Sequence, residues 1–194
     1  MQREIQQSSL EMRILDHAET RLLEQGYRGM RVDELARDVG ISKRTLYEQF
    51  RTKEDMARKA LARRLERLRG GVDRLVATGG DESDQLREVM LLICRVYAKA
   101  QPAFHQDLES TPSLTELVAA SRRDSFSKIE AVIRSGIDNG RFRADLDPRL
   151  VQRSLVAAVE GVLRPEILAE DGVTLDHAFQ AILDLILNGL SRPV

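Results

Sequence analysis

Apolar residues recur along most of this chain at spacings of three and four, the period that places side chains on one face of an α-helix. Ile14, Ala18 and Leu22 repeat in this way before Gly26, a residue suited to a left-handed helix end. No segment alternates between apolar and polar residues as a strand does, and no internal repeat is present. The pattern therefore predicts an all-α fold of about nine helices.

Polar residues mark where these helices begin and end. A short helix is predicted over 32–39 and another over 43–49, the second capped by the hydroxyl of Ser42. Thr52 and Asp55 have the spacing of a capping box, which opens a fourth helix. The later boundaries are predicted at Gly70-Gly71 (a kink or an end), at Ser113 with Glu116, at Asn139-Gly140, at Asp147-Pro148 and at Thr174.

The second and third helices are joined by a turn that is short enough to make them cross closely. Gly40 can adopt the positive φ of a sharp turn, and Ala36 is small where one helix presses on another. Leu46 and Phe50 fall on the inner side of the third helix. Its outer face then carries Lys43, Arg44, Tyr47 and Glu48, flanked by Thr45 and Gln49.

That outer face combines cations, hydroxyls and an amide, the groups that contact phosphates and base edges in a DNA major groove. Lys53 lies beside the cap of the fourth helix, and Arg31 lies at the start of the second, so each is placed to bind a phosphate. A solvated helix face explains any one of these charges equally well. The whole set behind such a turn favours a helix-turn-helix DNA reader.

Charge is distributed unevenly along the chain. Residues 1–70 carry 16 basic and 12 acidic residues, and residues 71–194 carry 14 and 19. This asymmetry suggests that only the front part meets an anionic partner, although chance segregation would look the same. The single cysteine, Cys94, excludes an internal disulfide and fits a reducing cytoplasm. The absence of a leader or a long apolar run argues against secretion and membrane spanning.

Residues 9–60 resemble the DNA-binding domain of TetR-family regulators. The resemblance rests on Gly26-Tyr27, Val32-Asp-Glu-Leu-Ala36, Gly40-Ile-Ser42, Thr45-Leu-Tyr47, Phe50 and Lys53-Glu54. It implies a homodimer that binds a palindromic double-stranded operator, with one recognition helix per subunit and a C-terminal domain that binds a small inducer. It also implies that Thr45, Tyr47 and Lys53 contact phosphates and that Lys43, Arg44, Glu48 and Gln49 face the groove. Ser42 and Arg31 complete the predicted DNA-binding set.

Two positions depart from the family pattern. Arg31 stands where the family usually has Ser or Thr, and its side chain cannot accept the N–H bond that would cap the second helix, although its cation could still reach DNA. Gln49 stands where His is commoner. Because an amide can bond adenine, this difference could change the operator sequence.

We divide the chain into a helix-turn-helix domain (1–55), a linking helix (about 53–75) and a helical ligand-binding and dimerisation domain (76–194). The last two helices are apolar over more than one stripe, so we predict that they pair with their copies, with burial inside a single chain as the alternative. The predicted dimer residues are Leu155, Val159, Val162, Phe179, Leu183, Ile186 and Leu187.

A ligand pocket is predicted on the middle helices, where an inducer would lie by resemblance. Its candidate residues are Met90, Cys94, Tyr97, Phe104, His105 and Phe126. Ordinary core packing explains any one of them, and Tyr97 and His105 are favoured because each adds a polar group to an apolar wall. Cys94 could be a redox sensor, but inert packing is the commoner role.

Enzymatic motifs are missing from the sequence. The three histidines are scattered, and there is no phosphate-binding glycine loop or paired cysteine motif, so we expect no enzyme, metal or cofactor. Three functions stay open: a ligand-responsive repressor, a DNA-binding dimer without an inducer, and an all-α interaction module or enzyme that merely carries this turn. The first is favoured.

Overall fold

The computed structural model describes residues 2–162 and 172–190, with all side chains in those ranges except those of 2–6, 97, 109, 160, 162, 175 and 176. Nine helices and no strand occur in this part of the chain, which confirms the all-α class. The helices are α1 (Gln2–Gly29), α2 (Val32–Val39), α3 (Lys43–Gln49), α4 (Lys53–Thr78), α5 (Glu82–Tyr97), α6 (Pro102–Glu109), α7 (Pro112–Asp138), α8 (Pro148–Val162) and α9 (Leu175–Leu190).

The caps of α3 and α4 form largely as predicted. The Ser42 hydroxyl accepts a hydrogen bond from the Thr45 N–H at 3.0 Å. The Thr52 hydroxyl accepts from the Asp55 N–H at 3.0 Å, and the Asp55 carboxylate in return accepts from the Arg51 N–H, one residue earlier than in a standard capping box. The first two bonds each satisfy a backbone donor that the first helical turn leaves without a partner.

Two predicted boundaries are wrong. Helix α4 continues through Gly70 and Gly71 because Gly71 provides close packing rather than a break: a Cβ there would lie 2.8 Å from a methyl carbon of Leu92. Helix α7 is not capped by Ser113, whose hydroxyl instead donates to the Glu54 carboxylate at 2.5 Å. Its first turn starts from the carbonyl of Thr111.

The later caps at Asp147 and Thr174 are confirmed. The Asp147 carboxylate accepts from the Arg149 N–H at 2.8 Å, and the Thr174 hydroxyl accepts from the His177 N–H at 3.3 Å. Helix α8 therefore begins at Pro148, where a missing N–H costs nothing.

The chain forms two compact units, which do not follow the sequence in a simple order. Unit 1 comprises residues 1–70 and 95–122, and unit 2 comprises residues 71–94 and 123–194. The predicted division into 1–55 and 76–194 stays a prediction, but residues 95–122 pack with the N-terminal helices, which the sequence did not indicate. Unit 1 has a continuous apolar core built from α1 to α4, α6 and the start of α7.

Helix α6 packs tightly on the end of α1. The Gln101 N–H bonds the Leu23 carbonyl at 2.9 Å, and the Arg28 N–H bonds the buried Asp107 carboxylate at 2.7 Å. Between these bonds α1 is kinked at Gly26, which has φ 73° and ψ 175°. Only glycine adopts this backbone region readily, so the kink allows the two backbones to approach closely.

In unit 2, α8 and α9 pack together, and Leu155, Phe179 and Leu183 on these helices are buried. The Arg143 N–H bonds the Leu190 carbonyl at 3.0 Å, which fixes the end of α9. None of the helices described is both long and apolar enough to cross a membrane.

We predict that Gly26→Ala lowers the free energy of unfolding by more than Gly40→Ala does. Both glycines have positive φ, so alanine is strained at either site by about 1–2 kcal/mol or more. At Gly40 a Cβ meets nothing within 4 Å, whereas at Gly26 it would lie 2.5 Å from Asp107 and 2.7 Å from the Ala103 carbonyl. Urea denaturation of the two variants measures the difference. Equal losses of unfolding free energy in the two variants would show that α6 moves away from the added Cβ at no cost in stability.

Candidate nucleic-acid interface

Two arginines of α1 fix the position of α2. The Arg13 guanidinium donates to the Val39 carbonyl at 2.7 Å, at the end of α2 where carbonyls lack helical partners. Arg21 is mostly buried and bonds the carboxylates of Glu34 and Asp38, both at 2.7 Å. The hydrogen bond from Arg21 lowers the pKa of the Asp38 carboxyl. Because α2 is held at both its middle and its end, the following turn leaves from a fixed point.

The turn between α2 and α3 has the geometry that the sequence predicted. Gly40 adopts φ 75° and ψ 36°, and the Ile41 N–H bonds the Ala36 carbonyl at 2.9 Å. Leu46 and Phe50 are almost fully buried in the core of unit 1. These two side chains anchor α3, so its opposite face must be turned outward.

The outward face of α3 is polar and accessible. The Arg44 side chain is 90% exposed, and those of Lys43 and Glu48 are about half exposed. Tyr47 is 41% exposed, which is unusual for an aromatic residue that could be buried. Thr45 and Gln49 are half-buried at the edges of this face. The predicted DNA-facing residues of α3 therefore share one surface.

The cations of this surface already have carboxylate partners. The Lys43 ammonium lies 2.9 Å from a carboxylate oxygen of Asp33, which belongs to α2. The Arg44 guanidinium lies 3.1 Å from Glu48, one helical turn further along α3. The bond to Asp33 raises the pKa of Lys43. Both cations therefore lie next to a carboxylate before any DNA is bound.

Lys53 is more enclosed than its predicted phosphate contact suggested. Its ammonium lies 4.6 Å from the centre of the Tyr27 ring and donates to the Arg28 carbonyl at 3.3 Å. Burial lowers the pKa of Lys53 and raises that of the Tyr27 hydroxyl. Arg31 is exposed and makes no side-chain cap bond to α2, as expected for a side chain without a hydrogen-bond acceptor.

The six predicted ligand residues are divided between the two units. Met90 is buried in unit 2, where Cys94 and Phe126 are half-buried. Phe104 lies in the core of unit 1 and meets the His105 ring edge to face at 5.6 Å. The side chain of Tyr97 lies outside the described residues. Partial burial, then the positive charge of Arg122, lowers the pKa of His105, so its imidazole is neutral near pH 7.

The predicted dimer residues do not all have free surface. Leu155, Phe179, Leu183 and Leu187 are buried within the single chain and have little area left for a partner. Their apolar character is explained by burial within the single chain, which periodicity alone cannot distinguish from pairing with a second copy. Val159 and Ile186 are half-buried, and the side chain of Val162 lies outside the described residues.

Two outward apolar residues, Leu150 of α8 and Leu185 of α9, were not among the predicted dimer residues. Leu185 is 76% exposed on α9 and Leu150 is 61% exposed on α8. On α9, the exposed or half-buried apolar positions recur one helical turn apart and form a strip: Ala181, Ile182, Leu185, Ile186 and Gly189. Apolar strips of this kind mark surfaces that meet a partner.

The sequence reasoning also missed four residues that position the candidate interface. Arg13 and Arg21 hold α2, Asp33 holds Lys43, and Asp107 bonds the Arg28 backbone. The apolar periodicity of α1 indicated its buried face but gave no sign of which arginines cross to α2.

Two family models match the chain. Residues 14–60 match the model for bacterial regulatory proteins of the tetR family, and residues 79–164 match a tetracyclin repressor-like C-terminal domain. The first match contains α2, α3 and the turn between them. Together the two models span most of both halves of the chain.

Full-length similarity extends to individual proteins. The HTH-type transcriptional repressor KstR2 of Rhodococcus jostii is 28% identical over 93% of this chain and 90% of its own length. The TetR-family regulator PfmR of Thermus thermophilus is 26% identical, covers 92% of this chain and 99% of its own, and has a TM-score of 0.69. A transcriptional regulator of Saccharomonospora viridis in complex with choline has a TM-score of 0.82, 24% identity, and coverage of 96% and 100%.

Proposed function

Because this chain belongs to the TetR family of bacterial regulators, we propose that it is a transcriptional repressor that binds DNA through α3 and is released by a small molecule. The observation that carries the DNA-binding role is the exposed polar face of α3, anchored by the buried Leu46 and Phe50. An exposed helix behind a fixed turn is the element that enters a major groove. We place its action in the cytoplasm, with its DNA.

The outward residues of α3, together with Lys53 at the start of α4, would divide into two roles. Thr45, Tyr47 and Lys53 would contact phosphates and set the position of the helix on the duplex. Lys43, Arg44, Glu48 and Gln49 would face the bases, with Ser42 and Arg31 at the edge of the interface. Phosphate contacts position the protein, and base contacts specify the sequence.

A homodimer would present two copies of α3 to a palindromic operator. We propose that α8 and α9 form its interface, with Leu150, Val159, Leu185 and Ile186 at the surface. This assignment rests on the exposed apolar strip of α9 and replaces the buried part of the set predicted from periodicity. The buried residues would support that strip from inside unit 2.

Release by a ligand would act through α6. This helix carries His105 and is bonded to α1 by Gln101 and Asp107, in the same unit as α3. A ligand that favours another position of α6 would strain or break these bonds. The free-energy change in DNA binding could not exceed the difference between the ligand's binding free energies for the DNA-binding and released states. A DNA-binding dimer without an inducer is the alternative.

Selection of bound duplexes from a random pool is expected to recover a palindromic motif. Tyr47→Ala should weaken binding of all sequences alike because it removes a phosphate contact. Gln49→Ala should change the preference at one position by about 1–3 kcal/mol. Competition binding with single-base variants of the motif measures both. An unchanged preference in Gln49→Ala contradicts its base-reading role, and failure of the wild-type protein to retain any duplex at low salt contradicts the function itself.

Leu185→Glu should give a monomer at micromolar concentration. The side chain is exposed in the single chain, so the substitution adds charge to the proposed interface without disturbing the core. DNA affinity should fall by about 10²-fold, the lower end of the gain from joining two binding modules. Met12→Glu is the control, because Met12 is also exposed and apolar but lies on α1. Sedimentation that gives both variants the wild-type mass would exclude this interface.

A compound that stabilises the protein in a thermal-shift screen is expected to weaken its binding to DNA. Choline is a first probe because a regulator of the same fold was solved with it. His105→Ala should abolish release by the active compound while retaining DNA binding, whereas Gln106→Ala, its exposed neighbour, should respond normally. Compounds that bind without affecting DNA binding would favour the alternative without an inducer.

A further inference from the structure

Asp33 bridges the two helices of the helix-turn-helix at its DNA-facing end. It is the second residue of α2, and its carboxylate lies 2.9 Å from the ammonium of Lys43, the first residue of α3. Both side chains are exposed, Lys43 by 52% and Asp33 by 69%, so neither is buried for the sake of the fold. The pair differs from Arg44–Glu48, which lies within one helix.

The Asp33–Lys43 pair affects the binding of Lys43 to base edges and to phosphates differently. A lysine ammonium has three N–H donors, so Lys43 can retain its bond to Asp33 while it donates to a neutral base-edge acceptor such as guanine O6 or N7. A phosphate is negatively charged, and a phosphate bound by Lys43 would lie beside the Asp33 carboxylate. The repulsion between the two anions opposes that contact.

We propose that Asp33 is a specificity-determining residue that directs Lys43 towards base edges and keeps it from phosphates. The proposal rests on the DNA-binding function proposed above and adds to it a residue that touches no base itself. On random DNA, where contacts are mainly to phosphates, the wild-type protein loses the contribution of Lys43. On the operator, Lys43 contributes to the affinity while it remains paired with Asp33.

The test is the salt dependence of binding in Asp33→Asn. Each additional phosphate contact steepens the dependence of log affinity on log salt by about 0.9. If two subunits each gain one contact, lowering salt from about 200 to 50 mM should strengthen binding to a random-sequence duplex about tenfold more in the variant than in the wild type. Binding to the selected motif should change less, so the ratio of specific to random affinity should fall.

Two controls separate this effect from a general change of charge. Glu24→Gln removes the same charge from an exposed position of α1 and should leave the salt dependence unchanged. In a Lys43→Ala background, Asp33→Asn should have no effect, because the cation that it releases is gone.

The proposal is overturned if the affinity of Asp33→Asn for random-sequence DNA depends on salt as in the wild type. It is also overturned if Glu24→Gln, or Asp33→Asn in the Lys43→Ala background, steepens this salt dependence as much as Asp33→Asn alone. These results would leave wild-type DNA binding intact and the proposed function standing. If the wild-type protein bound no DNA, both the proposed function and the proposed role of Asp33 would be contradicted.

Discussion

A helix of seven residues does not hold its shape in water, since isolated helices of this length are unstable even with favourable sequences. The candidate DNA-binding surface is such a helix, α3, and it depends on the burial of Leu46 and Phe50 in the core of unit 1. Burying each side chain contributes about 1.5–3 kcal/mol, enough to compensate for the weakness of the helix. Two anchors free the remaining positions of α3 for polar groups, and every functional proposal depends on this division.

The sequence predicted most accurately the features that depend on neighbouring residues. The bounds of α2 and α3, the cap at Ser42 and the positive φ of Gly40 each arise from interactions within about four residues. Gly71 shows the limit of local reasoning. A glycine in a helix usually weakens it, but here the missing side chain makes room for Leu92, which is more than twenty residues away.

The parts of the interface that were predicted depend on residues close in sequence, and the parts that were missed depend on residues far apart in sequence. The outward face of α3 follows from helical period once Leu46 and Phe50 are assigned to the core. The pairing of Lys43 with Asp33 depends on the angle at which α2 and α3 cross, and the bond of Asp107 to the Arg28 backbone joins residues 79 positions apart. Periodicity likewise placed Leu155 on an apolar face but could not show that the single chain already buries it.

The basic surplus of residues 1–70 is a weak guide to DNA attraction, because many of these cations serve the fold. Arg13 and Arg21 hold α2, while Arg64 and Arg67 both bind Glu19. On α3 itself, each cation is paired with a carboxylate, so a phosphate that binds there must compete with a carboxylate already in place. Two exposed arginines for which the described part of the chain shows no ion pair, Arg31 and Arg51, lie instead just before α2 and α4. Long-range attraction of DNA would therefore come from arginines beside α3, and the residues of α3 itself would discriminate among DNA sequences.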